Sequence, residues 1–317
     1  MPRPAAPSFD SIGPWPELAT VALACSGGAD STYLAWQWQK YLQKHGESAV
    51  RSVVWVVDHA HRDGTQDEAA QAQQIYQEMG YQVRVLQPDS PPESSSENHL
   101  RQLRYRLFAA QAKVDGASIL LTAHHADDQA ETVLLRILRG TGLHGLAGMP
   151  ESRPLADFGA PELELRRPLL ACRAAQIRSE LNNAGLRWIE DPTNEIPEAA
   201  ARNRLRKQIM PLLGQVATGD PIEAILQLAS DADQWRSWLD SALSEEPNWP
   251  SMPQLMRIEA IRSLLVVEGV RCTRQSLADW EQALLKNGST AVNETHRLSV
   301  AGGRLRYLAR KDPKTRR

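Results

Sequence analysis

Val21-Ala-Leu-Ala-Cys25 runs directly into Ser26-Gly27-Gly28-Ala29-Asp30-Ser31, and a helical pattern over Asp30–His45 follows it. An apolar run without alternation, ended by turn chemistry and then a helix, predicts a strand covered on both faces. Gly27 and Gly28 permit positive φ and a close backbone approach. Successive N–H groups of Ser26, Gly27, Gly28, Ala29, Asp30 and Ser31 can then form a nest for an anion, reinforced by the positive end of the helix. Ser26 and Ser31 add hydroxyl donors. Asp30 suits a magnesium ion or an orienting role better than a phosphate. Taken alone, a Gly pair reads more often as an ordinary strand–helix turn with Asp30 near the N-cap. Neither G-x-x-x-x-G-K-[ST] nor G-x-G-x-x-G occurs, which argues against a generic kinase or dehydrogenase.

The pattern repeats outward from this stretch. Val53-Val-Trp-Val-Val57 is β-branched and stops at Asp58-His59; residues 66–80 read as a helix closing on Gly80. Tyr81–Leu86 and Ile119–Leu121 are further strands, separated by a polar loop over Gln87–Glu97 and a helix over Asn98–Val114. Ala126–Arg139 is a strong helical pattern. Strands alternating with helices predict a doubly wound parallel α/β sheet. Residues 150–166, with Pro150, Pro154, Gly159 and Pro161, read as an excursion or linker. A second helical region follows over Ala171–Ala184. Beyond about residue 214 the pattern is mainly helical, with a hairpin near Thr295–Leu308 and Trp235, Trp238, Trp249 and Trp280 as aromatic core anchors. Three segments are expected: a loose arm over 1–17, an α/β domain over 18–213 and a smaller, mainly helical domain over 214–317.

Composition agrees with a soluble, two-domain chain: 317 residues, 42% hydrophobic and 23% charged. The net charge of -2 does not announce nucleic acid, but binding follows local patches rather than the total. Cys25, Cys172 and Cys272 are scattered, without C-x-x-C spacing, which points to a reducing cytoplasm and away from a disulfide framework or cluster. Leu18–Cys25 imitates a lipoprotein signal, yet Arg3 stands against Asp10 and Glu17 ahead of it, so a buried strand is the better reading. No apolar run approaches the roughly 20 residues of a membrane span.

The second chemical constellation is Thr122-Ala-His124-His125-Ala-Asp127-Asp128-Gln129-Ala-Glu131-Thr132. It follows the strand at Ile119–Leu121, on the ligand side of an open α/β sheet. On one helix His124, Asp128 and Glu131 would share a face at i, i+4 and i+7, able to bind a cationic amine or magnesium. Helix-dipole complementation alone would explain an Asp here, but not the array with Glu131. Arg101, Arg104 and Arg106 lie in one helix; Arg202, Arg204, Arg206 and Lys207 form a denser basic segment. Guanidinium forks suit phosphates, so that segment is either a nucleotide clamp or an RNA contact. The basic tail Arg304–Arg317 has the composition of a nucleic-acid footprint.

Together and in this order, the motifs resemble the tRNA(Ile)-lysidine synthase family among the PP-loop ATP pyrophosphatases. The matching stretches are SGGADS (26–31), Asp58-His59-Ala-His61-Arg62, Glu97 with Arg101, Arg104 and Tyr105, and Leu121–Met149, the most specific. Arg167-Pro168-Leu169-Leu170, Trp188–Asn194 and Arg202-Asn203-x-x-Arg206 complete the set. His61 departs from the usual apolar residue. The resemblance spans about residues 20–213 and becomes diffuse beyond. It implies adenylation by ATP, with Mg²⁺, of the first anticodon cytidine of a tRNA(Ile) carrying CAU, followed by attack of the L-lysine ε-amine. It further implies Asp30, His124, Asp128, Glu131 and Arg202 as catalytic positions, with Asp30 as metal ligand. ATP contacts would come from residues 26–31, His59 and Arg104, lysine contacts from Asp128 and Glu131, and tRNA contacts from Arg204, Arg206 and Lys207. A homodimer would be ordinary for the family. Base-thiolating relatives carry paired C-x-x-C motifs, which this chain lacks. A catalytically silent RNA-binding protein would not need the retained acids and imidazole.

Overall fold

The computed structural model describes residues 6–16, 19–46, 50–58, 64–90, 92, 94, 96–190, 201–244, 248–267, 270, 272–294 and 296–309. His59, His61, 191–200 and the tail from 310 lie outside them. The chain divides into two compact units, one of residues 1–135 and 148–226, the other of 136–147 and 227–317.

The first unit begins with β1 (Thr20–Ala24), α1 (Ala29–His45), β2 (Arg51–Val57), α2 (Thr65–Glu78), β3 (Gln82–Leu86), α3 (Glu97–Asp115), β4 (Ala117–Thr122) and most of α4 (Ala126–Leu138). The short α5 (Leu143–Leu146) belongs to the second unit. The first then continues through β5 (Ser152–Leu155), β6 (Ala160–Arg166), α6 (Ala174–Asn183), α7 (Ala201–Arg204), a π-helical stretch (Leu205–Ile209) and α8 (Met210–Val216). Its six strands run in the order β3-β2-β1-β4-β6-β5, parallel except for β5. This is the doubly wound sheet expected.

Alternate residues of each central strand pack into different layers. Val21, Leu23, Val54, Val56, Ile119 and Leu121 join α1, α2 and α6 on one side. Ala22, Val53, Trp55 and Leu120 join α3 on the other. Both faces are therefore dry, which is why the strands read as unbroken apolar runs. Cys25 lies buried just after β1, and burial pushes its thiol up to about 12.

Residues 150–166 correct the expectation of a linker. They form β5 and β6, which extend the sheet beyond β4, with Leu155, Ala160, Leu163 and Leu165 buried. Pro154 is tolerated on β5 because that strand is at the edge and pairs on one side only.

The second unit holds most of α9 (Pro221–Ser244), then α10 (Gln254–Val267), α11 (Arg274–Asn287) and an antiparallel sheet of β7 (Ser289–Ala291), β8 (His296–Ala301) and β9 (Arg304–Ala309). Trp249 is buried in its core and Trp280 packs against it. Trp235 and Trp238 are not core anchors: they are 61% and 56% exposed on α9 and touch each other edge to face. Among the described residues no helix is long and apolar enough to cross a membrane.

Candidate functional site

The winding of the sheet reverses between β1 and β4, which pair with Ala24 opposite Thr122. The loops leaving these neighbouring strand ends diverge around a crevice, the position where open α/β sheets bind ligands. A cavity of about 510 Å³ lies there, lined by Ser26, Gly28, Asp30, Ser31, Arg104, His124, Asp128 and Arg202 among others. Residues far apart in sequence therefore meet on one wall.

The glycine loop is held from beneath. Gly27 adopts φ 86°, and its carbonyl accepts from the Ile189 N–H at 2.8 Å. Its own N–H donates to the Tyr76 hydroxyl at 3.2 Å; that hydroxyl also lies 3.0 Å from Ser31 Oγ. Ser26 N–H donates to Ser31 Oγ at 3.2 Å, and Ser31 Oγ donates to the Gly28 carbonyl at 3.0 Å. The expected nest is thus partly consumed, since the first two amides serve the loop itself. What remains for an anion is the first turn of α1, whose N-cap Gly28 offers no side-chain cap. Burial keeps the Tyr76 phenol protonated far above its usual range. Sequence reasoning missed Tyr76 because it lies 45 or more residues away, inside the periodic pattern of α2.

The second loop differs from the expected helical face. α4 starts at Ala126, so His124 precedes it and lines the cavity from the turn, its Nδ1 3.0 Å from Thr122 Oγ1. Burial, then the nearby Arg167 cation, holds the His124 imidazole below its ordinary range despite the opposing Asp128. It is therefore held in its uncharged form near pH 7. His125, not assigned a role from sequence, is buried among three carboxylates. Its Nε2 lies 3.6 Å from Asp30 Oδ2 and 3.5 Å from Asp128 Oδ2, and its Nδ1 lies 3.6 Å from Asp127 Oδ2. Burial opposes its charge, but Asp30, Asp128 and Asp127 outweigh that and raise its pKa. His125 therefore ties the first turn of α1 to the loop after β4. Asp127 serves structure, accepting from the Ala174 N–H at 2.8 Å. Burial works against the Asp128 charge, yet His125, His124, Arg202 and Arg206 hold its carboxyl below the usual range.

The basic segment splits in two. Arg204 and Lys207 are exposed. Arg202 turns inward, its Nη2 donating to Thr132 Oγ1 at 2.6 Å and its Nε 3.2 Å from Glu131 Oε2. Arg206, expected to face RNA, instead grips Glu131 and Asp128. Arg104 lines the cavity, and Arg101 lies over the Tyr105 ring, 4.9 Å from its centroid. Among the described residues no group of three His, Cys, Asp or Glu side chains is arranged to hold a metal ion. Asp30 is 41% exposed at the cavity, which suits one carboxylate ligand completed by phosphate oxygens and water.

Comparison with known proteins fits this geometry. A family model described as a PP-loop domain matches residues 8–213. A tRNA(Ile)-lysidine synthase of Pseudomonas aeruginosa is 35% identical over 266 residues, covering 81% of this chain and 58% of that protein. One from Novosphingobium aromaticivorans is 36% identical over 250 residues, 77% of this chain and 74% of that protein. Against the Pseudomonas relatives the chain spans about half their length, down to 44% for Pseudomonas fluorescens. Among solved structures, a U34-tRNA thiolase of Methanococcus maripaludis (NcsA, with its 4Fe-4S cluster) superposes with a TM-score of 0.55. It is 14% identical, with 68% of this chain and 73% of that chain covered, and shows the shared fold alone. A PP-loop match over most of the first unit and a relative covered across three quarters of its length carry one conclusion: the chain belongs to the tRNA(Ile)-lysidine synthase family of PP-loop proteins.

Proposed function

We propose that this chain is a tRNA-modifying ligase that converts the first anticodon cytidine of a CAU-bearing tRNA(Ile) to lysidine, using ATP and L-lysine. The observation that carries the reading is the pairing, across one crevice, of an uncapped helix N-terminus with a neutral imidazole and an ionised carboxylate. The first suits a polyphosphate and the second an amine nucleophile. In the first step the cytosine O2 attacks the α-phosphorus, and pyrophosphate leaves toward the start of α1. Residues 26–31 and Arg104 would orient the nucleotide. Mg²⁺, when bound with the nucleotide, would be held by Asp30 and phosphate oxygens and would offset the charge on the departing pyrophosphate.

In the second step the lysine ε-nitrogen bonds to cytosine C2, the C2–O2 bond breaks, and AMP departs with that oxygen. Asp128 orients the amine, and a carboxylate of the site or His124 takes the proton that nitrogen loses. Arg202 supplies positive charge beside the reacting phosphate. The product reads AUA in place of AUG and is charged with isoleucine in place of methionine.

Arg204 and Lys207 lie exposed and fit the tRNA backbone. Residues 214–317 contact the tRNA as well: β8 and β9 put exposed Arg297, Arg304 and Arg306 on one face of the sheet. The enzyme works in the cytoplasm and, by analogy with its family, as a homodimer. Mass spectrometry of a CAU-bearing tRNA(Ile) transcript incubated with enzyme, ATP and lysine tests the reading. Lysidine at the first anticodon position is expected; an unmodified or sulfur-containing nucleoside there overturns it.

A further inference from the structure

Arg206 sits in a run of cations, yet its guanidinium is turned onto two acids. Nε donates to Glu131 Oε1 at 2.6 Å; Nη2 donates to Glu131 Oε2 at 3.0 Å and to Asp128 Oδ1 at 3.0 Å. With Arg202 Nε 3.2 Å from Oε2, guanidinium groups cover both oxygens of Glu131, whose side chain is 2% exposed. The Arg206 side chain is 45% exposed and reaches this pair from the surface.

Both Glu131 oxygens are already engaged by guanidinium donors, and Arg206 also holds Asp128 Oδ1. A further cation entering beside these guanidinium groups would meet their like charge at short range. An arriving ammonium can therefore reach Glu131 only where Arg206 leaves it. Arg206 also lies within the π-helical stretch between α7 and α8. Reversion of a π turn to α geometry shifts register by one residue, about 100° around the axis, which would withdraw the side chain without unfolding the helix.

We propose that Arg206 is a displaceable placeholder for the lysine ε-ammonium, occupying Glu131 and Asp128 until the substrate amine exchanges with it. This rests on the amine-pocket reading of the site. It replaces the expectation that Arg206 contacts RNA, and it makes Arg206 a determinant of how selectively the pocket admits cations.

The test compares the full chain with its Arg206→Gln and Arg206→Lys variants, each checked for native circular dichroism. Calorimetric titration with L-lysine and with norleucine, which lacks the ε-ammonium, is paired with the lysine KM for lysidine formation. Removing the competing charge-assisted bonds should lower the lysine Kd and KM of Arg206→Gln about tenfold. Arg206→Lys should show a smaller drop, and norleucine binding should not change. Structural damage does not tighten binding, so a gain is diagnostic. Unchanged or weaker lysine binding in a folded variant overturns the placeholder; if the Gln variant does not fold, the Lys variant decides alone. The two readings fail separately. Tighter lysine binding without lysidine formation by the native chain sinks the reaction and spares the placeholder. Lysidine formation with no gain in the variants does the reverse.

Discussion

Alanine at Gly27 and alanine at Gly28 should have opposite consequences, although the two residues are neighbours in one loop. At Gly27, φ is 86°, and an added Cβ would stand 2.6 Å from Ile189 Cδ1 and 3.0 Å from Ala72 Cβ. The Ile189 tip can rotate, but Ala72 Cβ is fixed to α2. Left-handed backbone costs an L-residue about 1–2 kcal/mol, and overpacking adds about 1–3 kcal/mol. Reduced freedom of the unfolded chain returns about 0.4–1 kcal/mol. The net is a loss of about 1–5 kcal/mol, or a drop of about 2–20 °C in Tm for a unit of this size. At Gly28, φ is -71° and the nearest atom to a new Cβ is Ser26 Oγ at 3.6 Å, an ordinary contact. Stability should hold within about 0.5 kcal/mol. Gly28 lines the cavity, however, and a methyl there would obstruct a phosphate approaching α1. Gly28→Ala should therefore weaken ATP binding about tenfold or more while melting normally. Calorimetric melting and equilibrium ATP binding decide both. A Gly27→Ala protein that melts within about 2 °C of the parent would refute the packing argument. A Gly28→Ala protein with native ATP affinity would remove the loop from the phosphate site.

If the Asp128 carboxylate serves the amine as proposed, Asp128→Asn should spare pyrophosphate release from ATP and tRNA more than lysine addition; equal loss in both half-reactions would show that Asp128 does not orient lysine. His125→Gln should destabilise most at low pH. The raised folded pKa makes the imidazolium's contribution complete below the unfolded value of about 6.5, and it is lost as pH rises through the folded pKa. The stability gap between parent and variant should thus be larger at pH 6 than at pH 9, and a gap independent of pH would count against the clamp. Tyr76→Phe removes the hydroxyl that accepts from Gly27 and meets Ser31. It should cost about 1–3 kcal/mol in urea unfolding and raise the KM for ATP; a variant as stable as the parent would mean that the loop stands without it.

Much of the architecture was legible in one dimension because its cause is local. Residues 21–25, 53–57 and 119–121 lie between two helical layers, and a strand buried on both faces must be apolar throughout. Strands β5 and β6 were not legible. Their Pro154 and Gly159 are turn signals by composition, and only pairing on β4 turns Leu163 and Leu165 into core residues. In the site, the glycine loop and the turn carrying His124 and Asp128 could be read because each is a contiguous stretch with its own chemistry, whereas the burial of Glu131 under two guanidinium groups could not.

The sequence by itself determined the inventory: a glycine turn after a buried strand, an acid-and-imidazole stretch after another, and a basic segment. Tertiary structure alone decided how these parts face one another. Tyr76 reaches Gly27 across 49 residues, and Arg206 reaches Glu131 across 75. No periodicity encodes such distances, because the partners are joined by the winding of the sheet and not by the chain between them. A cation in a basic run is indistinguishable by composition from one bonded inward. Only its position relative to the buried Glu131 shows that Arg206 is bonded inward.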